Sequence, residues 1–206
     1  MPDACRLDHI AVSAGALDEG VAYVEAALGL PLAPGGRHPA MGTQNRLLGL
    51  GDIYLEVIAI DPMAVPPGRP RWFGLDDFAG RPRPTNWIAR TDDLDAALRL
   101  APPDAGTPVA LERGDLAWRM AVPADGRLPF DGAFPALMQW DAGRHPAKRL
   151  PEERARLRAL EVQHPEADAL HAALAPLFDP LPITLHEGPF ALRVEVETAH
   201  GRRVLE

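Results

Sequence analysis

A pattern of one strand, one helix and further strands occurs twice within residues 6–142, and nothing else in the chain constrains its fold as strongly. In the first copy, Leu7-Asp8-His9-Ile10-Ala11-Val12 reads as a buried strand carrying one histidine. Leu17 to Leu28 has helical spacing, and Gly42 to Leu50 and Asp52 to Ile60 read as two more strands, the last with a lone carboxylate at Glu56. This unit spans 6–61. A connector follows over 62–84, where Pro66-Pro67-Gly68 and Arg81-Pro82-Arg83-Pro84 interrupt regular structure. The second copy, 85–142, opens with the strand Asn86 to Thr91 and continues into a short helix capped by Asp92 or Asp93 and running through Leu100. Strands are expected around Val109 to Arg113, Leu116 to Val122 and Ala136 to Trp140.

A third unit is expected over 157–206. Leu160 to Gln163 gives a strand, and Pro165 opens a helix with Leu170, Ala173, Leu174 and Leu177 on its apolar side. Ile183 to His186 and Leu192 to Glu197 alternate like strands, and Ala199-His200-Gly201 reads as a hairpin turn. Arg144 to Arg156 is charged and proline-broken, a connector or short helix. A unit of this kind leaves one apolar sheet face uncovered and needs a partner, so two units side by side enclose a cup. Three partners are open to unit one: unit two, unit three, or a second chain in a homodimer.

Composition removes several function classes. A net charge of -8 leaves no basic surface for nucleic acid or an anionic membrane. The single cysteine, Cys5, excludes an internal disulfide and a cysteine-rich zinc site. No apolar run approaches the ~20 residues of a membrane span, so a cytoplasmic protein is expected. Lys148 is the sole lysine among many arginines, a bias typical of GC-rich bacterial genomes. Gly49-Leu50-Gly51 lacks the context of a dinucleotide fingerprint, and no serine nucleophile elbow is present.

With D-H-I-A-V at its front and Y-L-E-V-I at its back, the first unit resembles a module of the vicinal oxygen chelate superfamily, which includes glyoxalase I, extradiol dioxygenases and bleomycin-resistance proteins. More narrowly, His38-Pro39, Gly42-Thr43-Gln44-Asn45, Tyr54-Leu55-Glu56 and Pro135 to Trp140 resemble a glyoxalase-like group. The resemblance implies an α+β fold in which repeated βαβββ units pair into a curved mixed sheet around a central cup. It also implies a site in that cup, with ligands from the first and last strands of two units. Carried over, these are His9 and Glu56 in unit one, which suit zinc, iron, manganese or nickel. In unit two they are Trp87, which cannot ligate a metal, and Gln139, a neutral amide. His38 would complete a set of two histidines and one carboxylate, and His145 is a further candidate.

The residues themselves leave other roles open. His9 is a metal ligand, a substrate contact or a hydrogen-bonded core histidine. Glu56, on an apolar strand, needs a cation or hydrogen bonds, and is a candidate general base. Thr43 and Asn45 share a strand face and, with Gln139, offer uncharged contacts to a substrate. Trp72 and Trp87 are candidate cup walls along with Trp140, while Trp118 reads better as core. Trp72-Phe73, within a long connector, is a candidate lid. The expected function is a small-molecule isomerase, lyase or oxygenase acting on a carbonyl- or diol-bearing metabolite. The competing expectation is a metal-free binding protein of the bleomycin-resistance type. Glutathione-adduct chemistry is not expected, because half of its metal set is missing.

Overall fold

The computed structural model describes residues 4–141, 145–151 and 154–206. Of the connector expected over Arg144 to Arg156, Arg144, Glu152 and Glu153 lie outside the described residues. Unit one comprises β1 (Arg6–Ser13), α1 (Leu17–Leu28), β2 (Ala33–His38), β3 (Thr43–Gly49) and β4 (Tyr54–Ile60). Unit two comprises β5 (Arg83–Arg90), α2 (Leu94–Leu98), β6 (Thr107–Arg113), β7 (Leu116–Val122) and β8 (Ala136–Trp140). The remaining elements are β9 (Arg156–His164), α3 (Ala167–Leu174), β10 (Thr184–Glu187), β11 (Ala191–Thr198) and β12 (Gly201–Leu205).

Units one and two form a single eight-stranded sheet in the order β2-β3-β4-β1-β5-β8-β7-β6. β1 runs parallel to β4, and β5 runs parallel to β8. The two units meet where β1 and β5 pair antiparallel, so one chain supplies the whole sheet. The sheet curls until its edge strands, β2 and β6, touch. Strand β2 was not legible as such, because Pro34, Gly35 and Gly36 are poor strand formers. At a sheet edge they are tolerated, and a register irregularity between Pro34 and Arg37 absorbs them. The short α2 starts at Asp93, whose side chain accepts from Ala96 N–H, as a cap should.

Residues 156–205 form a second sheet, ordered β10-β9-β11-β12. Its element order matches that of the other units, but its first strand is parallel to its second strand instead of its last. This sheet covers the convex face of the large sheet together with α1. Ile10, Val12, Leu55, Val57, Trp87 and Leu137 pack there with Val24 and Leu28 of α1 and with Leu160, Val162, Val194 and Val196. The concave face holds a separate cluster that includes Ala11, Ile58, Ile88, Met120 and Met138. Alternation along β4, β5 and most of β1 therefore sorts side chains into core and cup. No helix among the described residues is long and apolar enough to cross a membrane.

Candidate active site

The cup is lined by His9, His38, Tyr54, Glu56, Arg113 and an aromatic and methionine wall that includes Trp72, Trp118 and Trp140. As the side chains stand, its volume is about 20 Å³, room for one water. Its polar groups form a connected chain. His9 Nδ1 lies 2.6 Å from Asp8 Oδ1, and its Nε2 lies 3.5 Å from Glu56 Oε2. Both neighbours are carboxylates, which favours a proton on each ring nitrogen and so the imidazolium form of His9. Burial alone would lower the His9 pKa, but the hydrogen bonds and charges of Asp8 and Glu56 outweigh it and raise it. Tyr54 stacks on the ring with centroids 4.4 Å apart.

Asp8 precedes His9 directly, and alternation should send the two to opposite faces. A β-bulge brings them together. Leu7 pairs with Ala89 and His9 with Ile88, so Asp8 is an extra residue with no partner on β5. Fully buried, Asp8 also accepts from Trp140 Nε1 at 2.9 Å, His145 Nε2 at 2.9 Å and Arg90 at 3.4 Å. Burial pushes its pKa up, and the hydrogen bonds from His145 and His9 overcome that and hold it well below the usual carboxylate range. Glu56 follows the same logic: burial raises its pKa, and His9 together with Asn45 brings it down to about 2.

His38 is the opposite case. Its Nε2 is 3.3 Å from Arg113 Nη1 and 3.5 Å from Asn45 Nδ2, both obligate donors. Nε2 is therefore an acceptor, and Nδ1–H donates to Thr43 Oγ1 at 3.0 Å. Burial holds its pKa down at about 4, so His38 is neutral.

Of the residues expected from sequence, His9, Glu56, His38 and Trp72 meet in the cup. Thr43 and Asn45 lie beneath it, already bonded to His38 and to Glu56. Trp87 and Gln139 are not in the cup. Trp87 is buried in the convex core with its N–H on Ala133 O, and Gln139 ties the start of α2 through Leu94 N and Asp92 O. The repeat is in a different register from the one expected. Glu56 lies opposite Ala11, two residues beyond His9, and Met138 lies opposite Arg90, two beyond Ile88, so the counterparts of His9 and Glu56 are Ile88 and Met138. Sequence reasoning missed Asp8 and Arg113; Trp118, read as core, is buried in the concave cluster and also lines the cup.

Two βαβββ units sharing a curled sheet around a polar cup define a member of the vicinal oxygen chelate superfamily. The glyoxalase-like domain family profile matches residues 7–178, and the chain belongs to that family. Curated proteins yield no match. Among solved structures, a hypothetical protein from Staphylococcus aureus aligns with a TM-score of 0.63 at 14% identity, covering 97% of this chain and 84% of that one. A Streptomyces coelicolor methylmalonyl-CoA epimerase variant bound to 2-nitronate-propionyl-CoA aligns at 0.45 and 17% identity over 68% of this chain and 97% of its own. The Mycobacterium tuberculosis methylmalonyl-CoA epimerase aligns at 0.43 and 20% identity over 67% and 88%.

Divalent metals are frequent in this superfamily, and part of a donor set for one is present. His9 and Glu56 converge, and Asp8 behind His9 is a fitting outer partner. The expected third ligand is spent, however: the His38 Nε2 lone pair faces a guanidinium and an amide. Unit two offers Ile88 and Met138 at the equivalent positions, which supply no nitrogen or oxygen donor. Among the described residues no three His, Cys, Asp or Glu side chains are grouped to hold a metal ion. One imidazole and one carboxylate beside a fixed cation do not fit a divalent ion.

Proposed function

We propose that the protein is a small-molecule enzyme that moves a proton at a carbon next to a carbonyl, an isomerase or lyase by reaction type. The observation that carries this reading is the buried His9–Glu56 pair, an imidazolium and a carboxylate 3.5 Å apart on the cup wall. That spacing is too long for a good hydrogen bond, so the His9 Nε2–H can turn to a substrate oxygen seated beside the pair. Glu56 takes the proton from carbon, the C–H electron pair moves into the adjacent C–C bond, and the carbonyl oxygen takes the developing charge against His9 Nε2–H. Returning the proton to a different position or face isomerises the substrate, and expelling a β-substituent cleaves it.

Glu56 is a weak base at rest, because His9 helps hold its pKa at about 2. Once a carbonyl oxygen takes the His9 N–H, that restraint is relieved and Glu56 becomes more basic. Asp8 keeps His9 oriented and protonated throughout.

The test is solvent deuterium incorporation into a panel of carbonyl compounds, followed by NMR. The wild type is expected to exchange the proton next to the carbonyl, and Glu56→Gln or His9→Gln to slow that exchange by about 100-fold or more. Saturable binding without exchange would sink the proton-transfer reading. It would favour a sequestering protein, which the Trp72, Trp118 and Trp140 walls also suit.

A further inference from the structure

We infer that the substrate carries a carboxylate, received by Arg113 and the indole N–H of Trp72, and is therefore a short oxo acid taken up as a monoanion. The inference rests on the proton-transfer reading for the reacting carbon, though not for the anion site itself.

Two side chains in the cup have donors to spare among the described residues, Arg113 and Trp72. Arg113 closes β6, and its stem crosses the seam of the curled sheet, where a Cβ on Gly36 would sit 2.6 Å from Arg113 Cδ. Its one hydrogen bond among the described residues goes to His38 Nε2 at 3.3 Å, and no described carboxylate pairs with it. Other arginines vary: Arg119 and Arg149 each form a two-pronged pair with an aspartate, whereas Arg46, Arg83 and Arg203 donate to backbone carbonyls. The second donor is Trp72 Nε1, which is buried with no hydrogen-bond partner among the described residues. Native structures rarely leave a buried donor unsatisfied, because its desolvation is not offset. The Trp72 ring makes a T-shaped contact with His38, centroids 5.1 Å apart, so Arg113 and Trp72 both neighbour the same imidazole.

Charge selects among anions. The His9 imidazolium lies between Asp8 and Glu56, which leaves Arg113 as the cation with no bonded anion in the cup. One guanidinium balances a monoanion, whereas a phosphate dianion would face the Glu56 and Asp8 carboxylates with too few donors. Distance then fixes the rest of the ligand. Arg113 connects to Glu56 through His38 and Asn45, so two side chains separate the anion site from the base. A short acid seated on Arg113 brings its carbonyl and the neighbouring C–H to His9 and Glu56, against the apolar Met120 and Met138.

The probes are pyruvate, 2-oxobutyrate and acetoacetate, their methyl esters, and inorganic phosphate. Binding is read by tryptophan fluorescence and calorimetry, and reaction by deuterium exchange in the same samples. The acids are expected to bind saturably, and the esters about tenfold or more weaker. Arg113→Gln should weaken acid binding by about tenfold or more, Arg113→Lys should retain part of it, and Trp72→Phe should weaken it less. Glu56→Gln should abolish exchange and leave acid affinity within a few-fold. Arg113→Lys and Trp72→Phe carry the test if Arg113→Gln does not fold. Esters or phosphate binding as tightly as the acids, no binding of any acid, or indifference to Arg113→Gln would overturn the inference. Exchange of esters in Arg113→Gln at the wild-type rate would overturn it while leaving the proton-transfer reading intact. Acid binding without exchange would do the reverse.

Discussion

Asp8 accepts hydrogen bonds from four side chains, of His9, His145, Trp140 and Arg90, and each of them would be left facing a neutral group in Asp8→Asn. Removing one partner of a buried charge cluster typically costs about 3 kcal/mol, and urea denaturation should register a loss of that order. The same substitution has a signature that a purely structural residue would lack. The folded pKa of His9 is raised above 6.5, so its protonated form, with the stability and acid function that go with it, is fully present below 6.5 and is lost as pH rises through the folded value. Without Asp8 that folded value falls, and the alkaline limb of activity should move to lower pH. Nitrogen-15 NMR titration of His9 checks this directly, and an unmoved limb would remove Asp8 from the proton-transfer machinery. At this scale His9 and Glu56 were legible, because a lone polar residue in an apolar strand demands a partner. Asp8 was not, since the bulge that turns it toward His9 is set by pairing with β5 and not by local sequence. Trp87 and Gln139 were misplaced for a related reason: a one-residue error in repeat register exchanges the two faces of a strand.

At the scale of elements, the seam between β2 and β6 decides how the cup closes, and two adjacent glycines there respond to different constraints. A Cβ on Gly35 would lie 2.2 Å from the backbone O of Asn45, on the paired strand. A Cβ on Gly36 meets the flexible Arg113 stem instead. Gly35→Ala is expected to destabilise by about 1–3 kcal/mol, because backbone atoms of β3 must shift and they carry Asn45 away from Glu56. Gly36→Ala should leave the thermal midpoint near wild type and displace Arg113, changing oxo-acid affinity instead. The pair separates stability from binding, and a greater loss of stability in Gly36→Ala would mean that the seam is rigid. Helix α1 and strands β3, β4, β7 and β8 could be placed because α1 has an apolar stripe at helical spacing and each strand is a short run that includes apolar residues. The curl that brings Arg113 to His38 is a property of all eight strands and has no local signature. The Trp72-Phe73 segment, expected as a lid, does pack into the cup, with Phe73 and Gly74 both left-handed at φ 60 and 61.

For the whole molecule, the question is whether residues 156–205 form an attachment or part of the same folding unit. The repeat made a third copy legible, but its connectivity differs, and it packs on the convex face of the shared sheet where the cup is not. It supplies Leu160, Val162, Leu170, Leu174, Leu192, Val194, Val196 and Leu205 to one cluster with Ile10, Leu55, Val57 and Leu137. Trp87 packs against Phe178, Cys5 N–H bonds to Leu177 O, and Tyr23 reaches Glu206 O from α1. Each fully buried aliphatic side chain contributes about 1.5–3 kcal/mol, so eight of them are at least comparable with the roughly 5–15 kcal/mol of net stability of a typical domain. Units one and two are therefore expected to fail to fold without the second sheet, even though every cup residue lies in residues 8–140. Removing residues 157–206 should give an aggregating or molten chain with no near-ultraviolet circular dichroism from Trp87. The full chain should unfold in one transition that coincides for near- and far-ultraviolet signals. Two separated transitions, or a soluble truncated chain with native tryptophan signals, would show that the second sheet is an independent layer and that the cup is self-supporting.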